Sequence, residues 1–346
     1  MRTSCFQFDL PSTRFEEFYK DYDYTGFVEI ELNWSDHFKL CQNLSKGKIH
    51  NFKINTIKEL TDQPIHPNEF ISFIAPHIDS KTYFRVDYTA TNAYLDLNNF
   101  EKFRREKQEN GVRSAYNPGP EQECALELLY DPNIDYITLS GPPGGGKTIL
   151  PLDVGLHMLK NGQIYSILIS SPPIISKIGY LPGTKDDKLR ADNAKIFDAL
   201  RFLLGESKRM RPNKENQNKS KNKKEEKPYG EMIRNKIEGY IQKQQIEFEA
   251  LSYIKGRTLT NKLILFDETE DYDPRQMRKL VSRLGKGSKM IFCGDPYQID
   301  NPRCSKTKNG LVKLISDLRG LPNYAHITLK NNYRHPRAEE VIKRLS

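Results

Sequence analysis

Residues 141–148 read Gly141-Pro142-Pro143-Gly144-Gly145-Gly146-Lys147-Thr148, the spacing G-x-x-x-x-G-K-[ST] in which each fixed residue has a physical task. Glycines let the backbone close around phosphates at angles that a Cβ makes costly. In such a loop the lysine, here Lys147, reaches the β- and γ-phosphates, and the Thr148 hydroxyl ligates Mg2+. The pattern predicts a bound nucleoside triphosphate. A second element supplies acid groups. Leu263-Ile264-Leu265-Phe266 has the composition of a strand buried on both faces, and it ends in Asp267-Glu268. Asp267 would hold Mg2+ through water, and Glu268 would orient or deprotonate the attacking water. Two adjacent acids favour hydrolysis over binding alone. A third apolar run, Lys289-Met290-Ile291-Phe292-Cys293, leads into Gly294-Asp295-Pro296-Tyr297-Gln298, where Gln298 could hydrogen-bond the γ-phosphate or the water.

These groups need rigid elements to place them. Tyr136-Ile137-Thr138-Leu139 precedes the loop as a short β-rich run, and Leu150, Leu152, Val154, Leu156 and Leu159 follow it as a helical apolar pattern. Pro151 falls early in that helix, where the first N–H groups have no intrahelical partner and a proline costs little. Further along, the patterns predict helices at 121–130, 231–244 and 274–283 and strands at 136–140, 164–170, 263–266 and 289–293. Strands alternating with helices imply an α/β fold with a doubly wound, mainly parallel sheet and its ligand at the carboxyl ends of the strands.

Residues 1–110 differ. Phe27 to Leu32 and parts of Tyr83 to Tyr88 alternate with period two, as half-exposed strands do. The charge-dense run Glu101 to Asn110 and the turn residues Asn117-Pro118-Gly119-Pro120 mark a boundary near 105–120. The expected organisation is a smaller β-rich, α+β domain at 1–110 followed by the loop-bearing domain at 111–346.

Composition narrows the function classes. The 346-residue chain is 37 % hydrophobic and 29 % charged, an ordinary soluble balance. No apolar run approaches the roughly 20 residues that span a bilayer, so no membrane partner is expected. The N-terminus lacks a basic flank before an apolar stretch, which disfavours a signal peptide. Cys5, Cys41, Cys124, Cys293 and Cys304 are widely spaced and lack a C-x-x-C pair, arguing for a reducing, cytoplasmic compartment and against disulfides or zinc. The net charge is +9, but residues 206–228 hold nine Lys or Arg against four Glu, so +5 of it sits in one stretch nearly free of apolar residues. Sequence alone reads that stretch as a disordered loop, either a solvated insertion or a basic tether for a phosphate backbone.

The ordered series of motifs carries a resemblance. GPPGGGKT is followed by Ile178-Gly179-Tyr180-Leu181-Pro182-Gly183, Lys255-Gly256-Arg257-Thr258-Leu259, the FDET of 266–269, Ser282-Arg283-Leu284-Gly285-Lys286-Gly287-Ser288-Lys289-Met290, and GDPYQID. Over about residues 115–345 the chain resembles the PhoH-like family of P-loop ATPases, which are similar to the first RecA-like domain of superfamily 1 helicases. The resemblance implies a RecA-like fold, ATP with Mg2+, and hydrolysis coupled to work on single-stranded nucleic acid, RNA more than DNA. It implies that Gln122 reads adenine, through an amide that offers both donor and acceptor. It also makes Arg334, in Leu329-Lys330-Asn331-Asn332-Tyr333-Arg334, the group that would stabilise charge in the transition state. Ser170, Ser171 and Gly256-Arg257-Thr258 resemble loops that touch backbone phosphates, or else merely cap helices.

Departures from the family pattern also count. Gly145 stands where relatives usually carry other residues, and Glu270-Asp271 replaces a Gln-Asn pair, which puts nucleic-acid contact there in doubt. Residues 1–110 show no strand with an acid cluster of the kind a PIN nuclease needs, and Asp9, Asp21 and Asp23 read as surface residues. A chain ending at Ser346 is expected to lack a second RecA-like domain, so the missing half of the site could come from a homo-oligomeric ring. Two other readings stand beside the ATPase: an ATP-dependent switch or assembly protein without nucleic acid, and a P-loop small-molecule kinase. The kinase reading is weakened by Glu268 and by the lack of an Arg-rich lid.

Overall fold

A computed structural model describes residues 24–45, 51–75, 83–94, 98–109, 118–172, 193–206, 229–254 and 256–331. The chain opens with β1 (Phe27–Glu31), α1 (Trp34–Ser45), β2 (Asn51–Lys53), α2 (Ile54–Lys58), β3 (Phe70–Ile74), β4 (Tyr83–Val86) and β5 (Asn92–Tyr94). These strands form a mixed sheet in the order β1-β3-β4-β5-β2, with β1 and β3 parallel and the other pairs antiparallel. The period-two pattern of β1 is realised: Val28 and Ile30 are buried with Ile54, Ile57, Phe84 and Val86, while Glu29 and Glu31 face outward.

Next comes α3 (Asn98–Glu109), the charge-dense stretch. It is not wholly solvated. Phe100 and Phe103 pack into the core of the larger sheet, and the buried Lys107 ammonium pairs with Asp153.

The second half runs α4 (Pro120–Tyr130), β6 (Tyr136–Ser140), α5 (Ile149–Lys160), β7 (Ser166–Ser170), α6 (Ala194–Glu206), α7 (Tyr229–Gln242), β8 (Ile246–Phe248), α8 (Leu251–Ile254), β9 (Lys262–Phe266), α9 (Pro274–Val281), β10 (Lys289–Gly294), α10 (Gly310–Leu318) and β11 (Tyr324–Thr328). All six strands here are parallel, in the order β11-β6-β10-β9-β7-β8. This is the expected α/β architecture with a parallel sheet between helices, preceded by the smaller mixed sheet. Strands β7 and β10 are buried along their whole length, as continuous apolar runs under two helical layers should be. One face packs Leu126, Leu139, Leu150, Val154 and Leu265, and the other packs Ile264, Phe266, Met290 and Phe292.

Helix ends follow the sequence signals. Pro274 follows the N-cap Asp273, whose carboxylate accepts from the Arg275 N–H at 2.9 Å, and Asn309 accepts from the Val312 N–H at 2.9 Å. The two sheets are joined at β11. The Thr328 N–H donates to the Thr25 carbonyl at 2.9 Å, and the Asn68 side-chain amide donates to the carbonyls of Pro322 and Tyr324, each at 2.9 Å. No helix among the described residues is long and apolar enough to cross a membrane.

Candidate nucleotide site

Three loops converge at the carboxyl edge of the larger sheet. The loop at 141–148 leaves β6, the acids leave β9, and the turn bearing Gln298 leaves β10, which lies between them. This edge is where a doubly wound sheet binds its ligand.

The glycines of the first loop answer to geometry. Gly141 has φ +131°, and a Cβ there would come within 2.2 Å of the Leu329 carbonyl oxygen. Gly146 has φ +101°, and its Cβ would meet Gln122 Nε2 at 2.8 Å. The chain thus wraps tightly ahead of α5, whose N-terminal N–H groups suit an anion. Lys147 is folded back over its own loop, donating to the carbonyls of Gly141 at 2.5 Å and Pro142 at 2.9 Å. Beneath the loop, the Cys293 thiol donates to the Lys147 carbonyl at 3.0 Å.

The Thr148 hydroxyl donates to Asp267 Oδ1 at 3.2 Å, so residues 119 positions apart meet. Asp267 is only 2 % exposed, and its other oxygen, Oδ2, makes no hydrogen bond among the described residues. Burial lifts the Asp267 carboxyl above its ordinary range, against the lowering pull of Lys195 and Thr148. A hydroxyl and a buried carboxylate whose second oxygen faces only the Lys195 ammonium form a hard donor set that fits Mg2+. There is no group of three or more His, Cys, Asp or Glu among the described residues that could hold a metal unaided.

Glu268 adopts a left-handed backbone, φ 49° and ψ 50°, a conformation costing a bulky residue about 1–2 kcal/mol and concentrated at functional sites. Its carboxylate meets the Lys195 ammonium, which also lies 2.9 Å from Asp267 Oδ2. Burial alone would lift the Glu268 carboxyl, but Lys195 first, then the neighbouring Glu270 and the charge of Lys147, hold it below its ordinary value. Burial likewise opposes the Lys195 charge, and the two acids more than offset it, raising that lysine above the usual value.

Glu270 behaves oppositely. It is fully buried in the 3-10 turn Thr269–Asp271 and packs against Gly294 so closely that a Cβ there would meet its Oε2 at 2.0 Å. Burial first, then the facing Glu268, push it up to about 9. Glu270 therefore turns inward rather than toward a nucleic-acid surface. Asp271 instead braces the turn after β10, accepting from the N–H groups of Asp300 at 2.8 Å and Asn301 at 2.9 Å.

The remaining candidates divide. Gln122 is 4 % exposed, and both ends of its amide are engaged: Nε2 donates to the Gly145 carbonyl at 2.8 Å, and Oε1 accepts from the Gly119 N–H at 3.2 Å. In this geometry it props the loop. Gln298 sits on the exposed turn after β10. Arg334, residues 178–183 and all but the first residue of the 206–228 stretch lie outside the described residues. Of the loops compared with phosphate-contacting ones, Ser170 is buried too deeply for a strand to reach its hydroxyl, and the Ser171 hydroxyl donates to Asn193 Oδ1 at 3.2 Å. Arg257 and Thr258 are exposed, with Arg257 paired to Glu249 at 2.7 Å. The residue that sequence reasoning missed is Lys195, on the first turn of α6, which belongs to no motif.

The family model described as PhoH-like protein matches residues 117–346. Protein PhoH2 of Bacillus subtilis (strain 168) is 34 % identical over 217 residues, 62 % of this chain and 44 % of that protein. The PhoH-like protein of the same organism is 31 % identical over 207 residues, 59 % of this chain and 56 % of that one. The matched stretch thus spans about half the length of these curated relatives. Among solved structures, the Pif1 helicase from Candida albicans superimposes with a TM-score of 0.33 at 18 % identity, covering 66 % of this chain and 43 % of that one, too loose an overlap to build on.

Proposed function

From a chain that belongs to the PhoH-like protein family and is a P-loop NTPase, we propose a Mg2+-dependent ATP hydrolase that couples turnover to binding or remodelling of single-stranded nucleic acid, RNA before DNA. The observation that carries the hydrolase half is the meeting of Thr148 with Asp267, with Glu268 next in the chain. Thr148 and Asp267 would hold Mg2+, which when bound draws charge from the β- and γ-phosphate oxygens. Lys147 would exchange its two loop carbonyls for those phosphates. Glu268 would accept a proton from the water in line with the γ-phosphate, Gln298 would hold that water or the phosphate, and Arg334 would offset the developing charge. Gln122, released from Gly145, would face the adenine edge.

The nucleic-acid half is supported by the family resemblance and by the exposed, hydroxyl- and guanidinium-bearing Arg257-Thr258 loop. A cytoplasmic setting accords with the free thiols of Cys41, Cys124, Cys293 and Cys304. A homo-oligomeric ring would supply a second wall to the site. One assay separates the alternatives: ATP hydrolysis with and without single-stranded RNA or DNA. Stimulation supports this reading. Hydrolysis indifferent to either strand supports a switch or assembly protein, and phosphate transfer to a metabolite supports a kinase.

A further inference from the structure

Lys195 stands where its presence needs a reason. It comes from α6, outside the three loops that form the site, yet its ammonium bridges both acids, at 2.9 Å from Asp267 Oδ2 and in contact with Glu268 Oε1. The approach to Oδ2 is an ion pair without hydrogen-bond alignment, since that oxygen has no hydrogen-bond partner among the described residues. Thr148 occupies the other Asp267 oxygen at 3.2 Å. The positive charge therefore lies on the Asp267 oxygen that Thr148 does not take, in the carboxylate proposed as a metal ligand. Meanwhile Lys147 points away, onto carbonyls of its own loop.

A buried carboxylate without a counter-charge is costly, and a lysine on a flexible four-carbon stem satisfies it without fixing it. The Lys195 side chain is 43 % exposed, so water is at hand to receive the ammonium once it leaves. We propose that Lys195 is a placeholder cation: without nucleotide it neutralises Asp267 and ties up Glu268, and it must be displaced before a Mg2+–nucleotide complex can settle and before Glu268 can accept a proton. This rests on reading Thr148 and Asp267 as the metal-holding pair. Lys195 is then a positioning residue whose removal loosens the empty protein and tightens the loaded one.

The test uses the full chain and a non-hydrolysable ATP analogue. Lys195→Met keeps the stem and removes the charge. Mg2+ titrated against the saturated analogue complex by calorimetry should bind about two- to fivefold tighter than in the parent, the scale of one partly exposed charge pair. The empty variant should also melt lower, and Lys195→Arg should follow the parent in both. Unchanged or weaker Mg2+ affinity in the methionine variant overturns the proposal. Asp267→Asn separates the two levels. If it leaves Mg2+ affinity intact, the metal reading itself fails; if it abolishes affinity while Lys195→Met tightens nothing, only the placeholder fails. A measurement on the parent protein guards against a variant that does not fold. Reductive methylation of Lys195, followed by mass spectrometry, should be slow in the empty protein and faster with Mg2+ and analogue bound. Slower labelling of the loaded protein would show that the ammonium stays in the site.

Discussion

Replacing Glu270 by glutamine should make this protein more stable near neutral pH, by an amount that depends on pH in a calculable way. In the unfolded chain the carboxyl titrates near 4.5, whereas in the fold it stays protonated up to about 9, because it is fully buried and faces Glu268. Between those values the folded chain holds one proton more than the unfolded chain. Stability therefore falls as pH rises, by about 1.36 kcal/mol per unit, and is fully retained only below the unfolded value. At pH 7, two and a half units above it, the penalty reaches about 3.4 kcal/mol. Glu268, held low by Lys195, acts in the other direction, but it is present in both proteins and cancels in the comparison. A glutamine fills the same space beside Gly294, stays neutral facing Glu268, and has no carboxyl proton to lose on unfolding. Allowing for imperfect amide geometry, Glu270→Gln should gain about 2–3 kcal/mol at pH 7, shrinking to under about 1 kcal/mol at pH 5. Urea unfolding of both proteins across pH 5–8 measures the gap. A gap independent of pH, or a variant less stable than the parent at pH 8, would show that Glu270 is ionised in the fold.

Lys147→Ala should weaken ATP binding at least about tenfold by calorimetry, since a charged hydrogen-bond donor to phosphate is lost while the backbone cradle remains; unchanged binding would remove the loop from the site. Glu268→Gln should bind ATP normally and hydrolyse it about 100-fold more slowly or worse, the scale of a general base, and turnover within about threefold of the parent would place the base elsewhere. Gly141→Ala forces a Cβ to 2.2 Å from the Leu329 carbonyl oxygen at φ +131°, so it should cost several kcal/mol and lower the melting temperature by about 5–15 °C. An unshifted melting curve would mean that the loop is not held against β11.

The parts legible in the sequence are those written locally. The strand before the P-loop, the apolar run ending in Asp267-Glu268, and the run ending at Gly294 each announce themselves through composition over five or six residues. The alternation at 27–32 likewise declares β1. What distance along the chain brings together was hidden. Strand β11 carries His326 and Thr328 within five residues, and its place beside β6 shows only in the fold, where Thr138 and Ser140 meet those two side chains. Lys195 and Glu270 are single charged residues whose meaning depends on what faces them after folding. Gln122 had the right place for the site, yet the backbone carbonyl that its amide takes, that of Gly145, lies 23 residues away in the loop.

The joint between the two sheets bears on how the chain is made. Asn68, at the threshold of β3, relies on carbonyls 254 and 256 residues further along, and Thr25 relies on Thr328. Synthesis proceeds at about 5–20 residues per second, so roughly 13–60 s separate the appearance of these partners. Through that interval β1 and β3 must persist without the seam that seals them, exposing backbone and apolar surface. The newborn chain thus has a window of vulnerability that closes only when residues 322–328 arrive, and a chaperone would find its footing there.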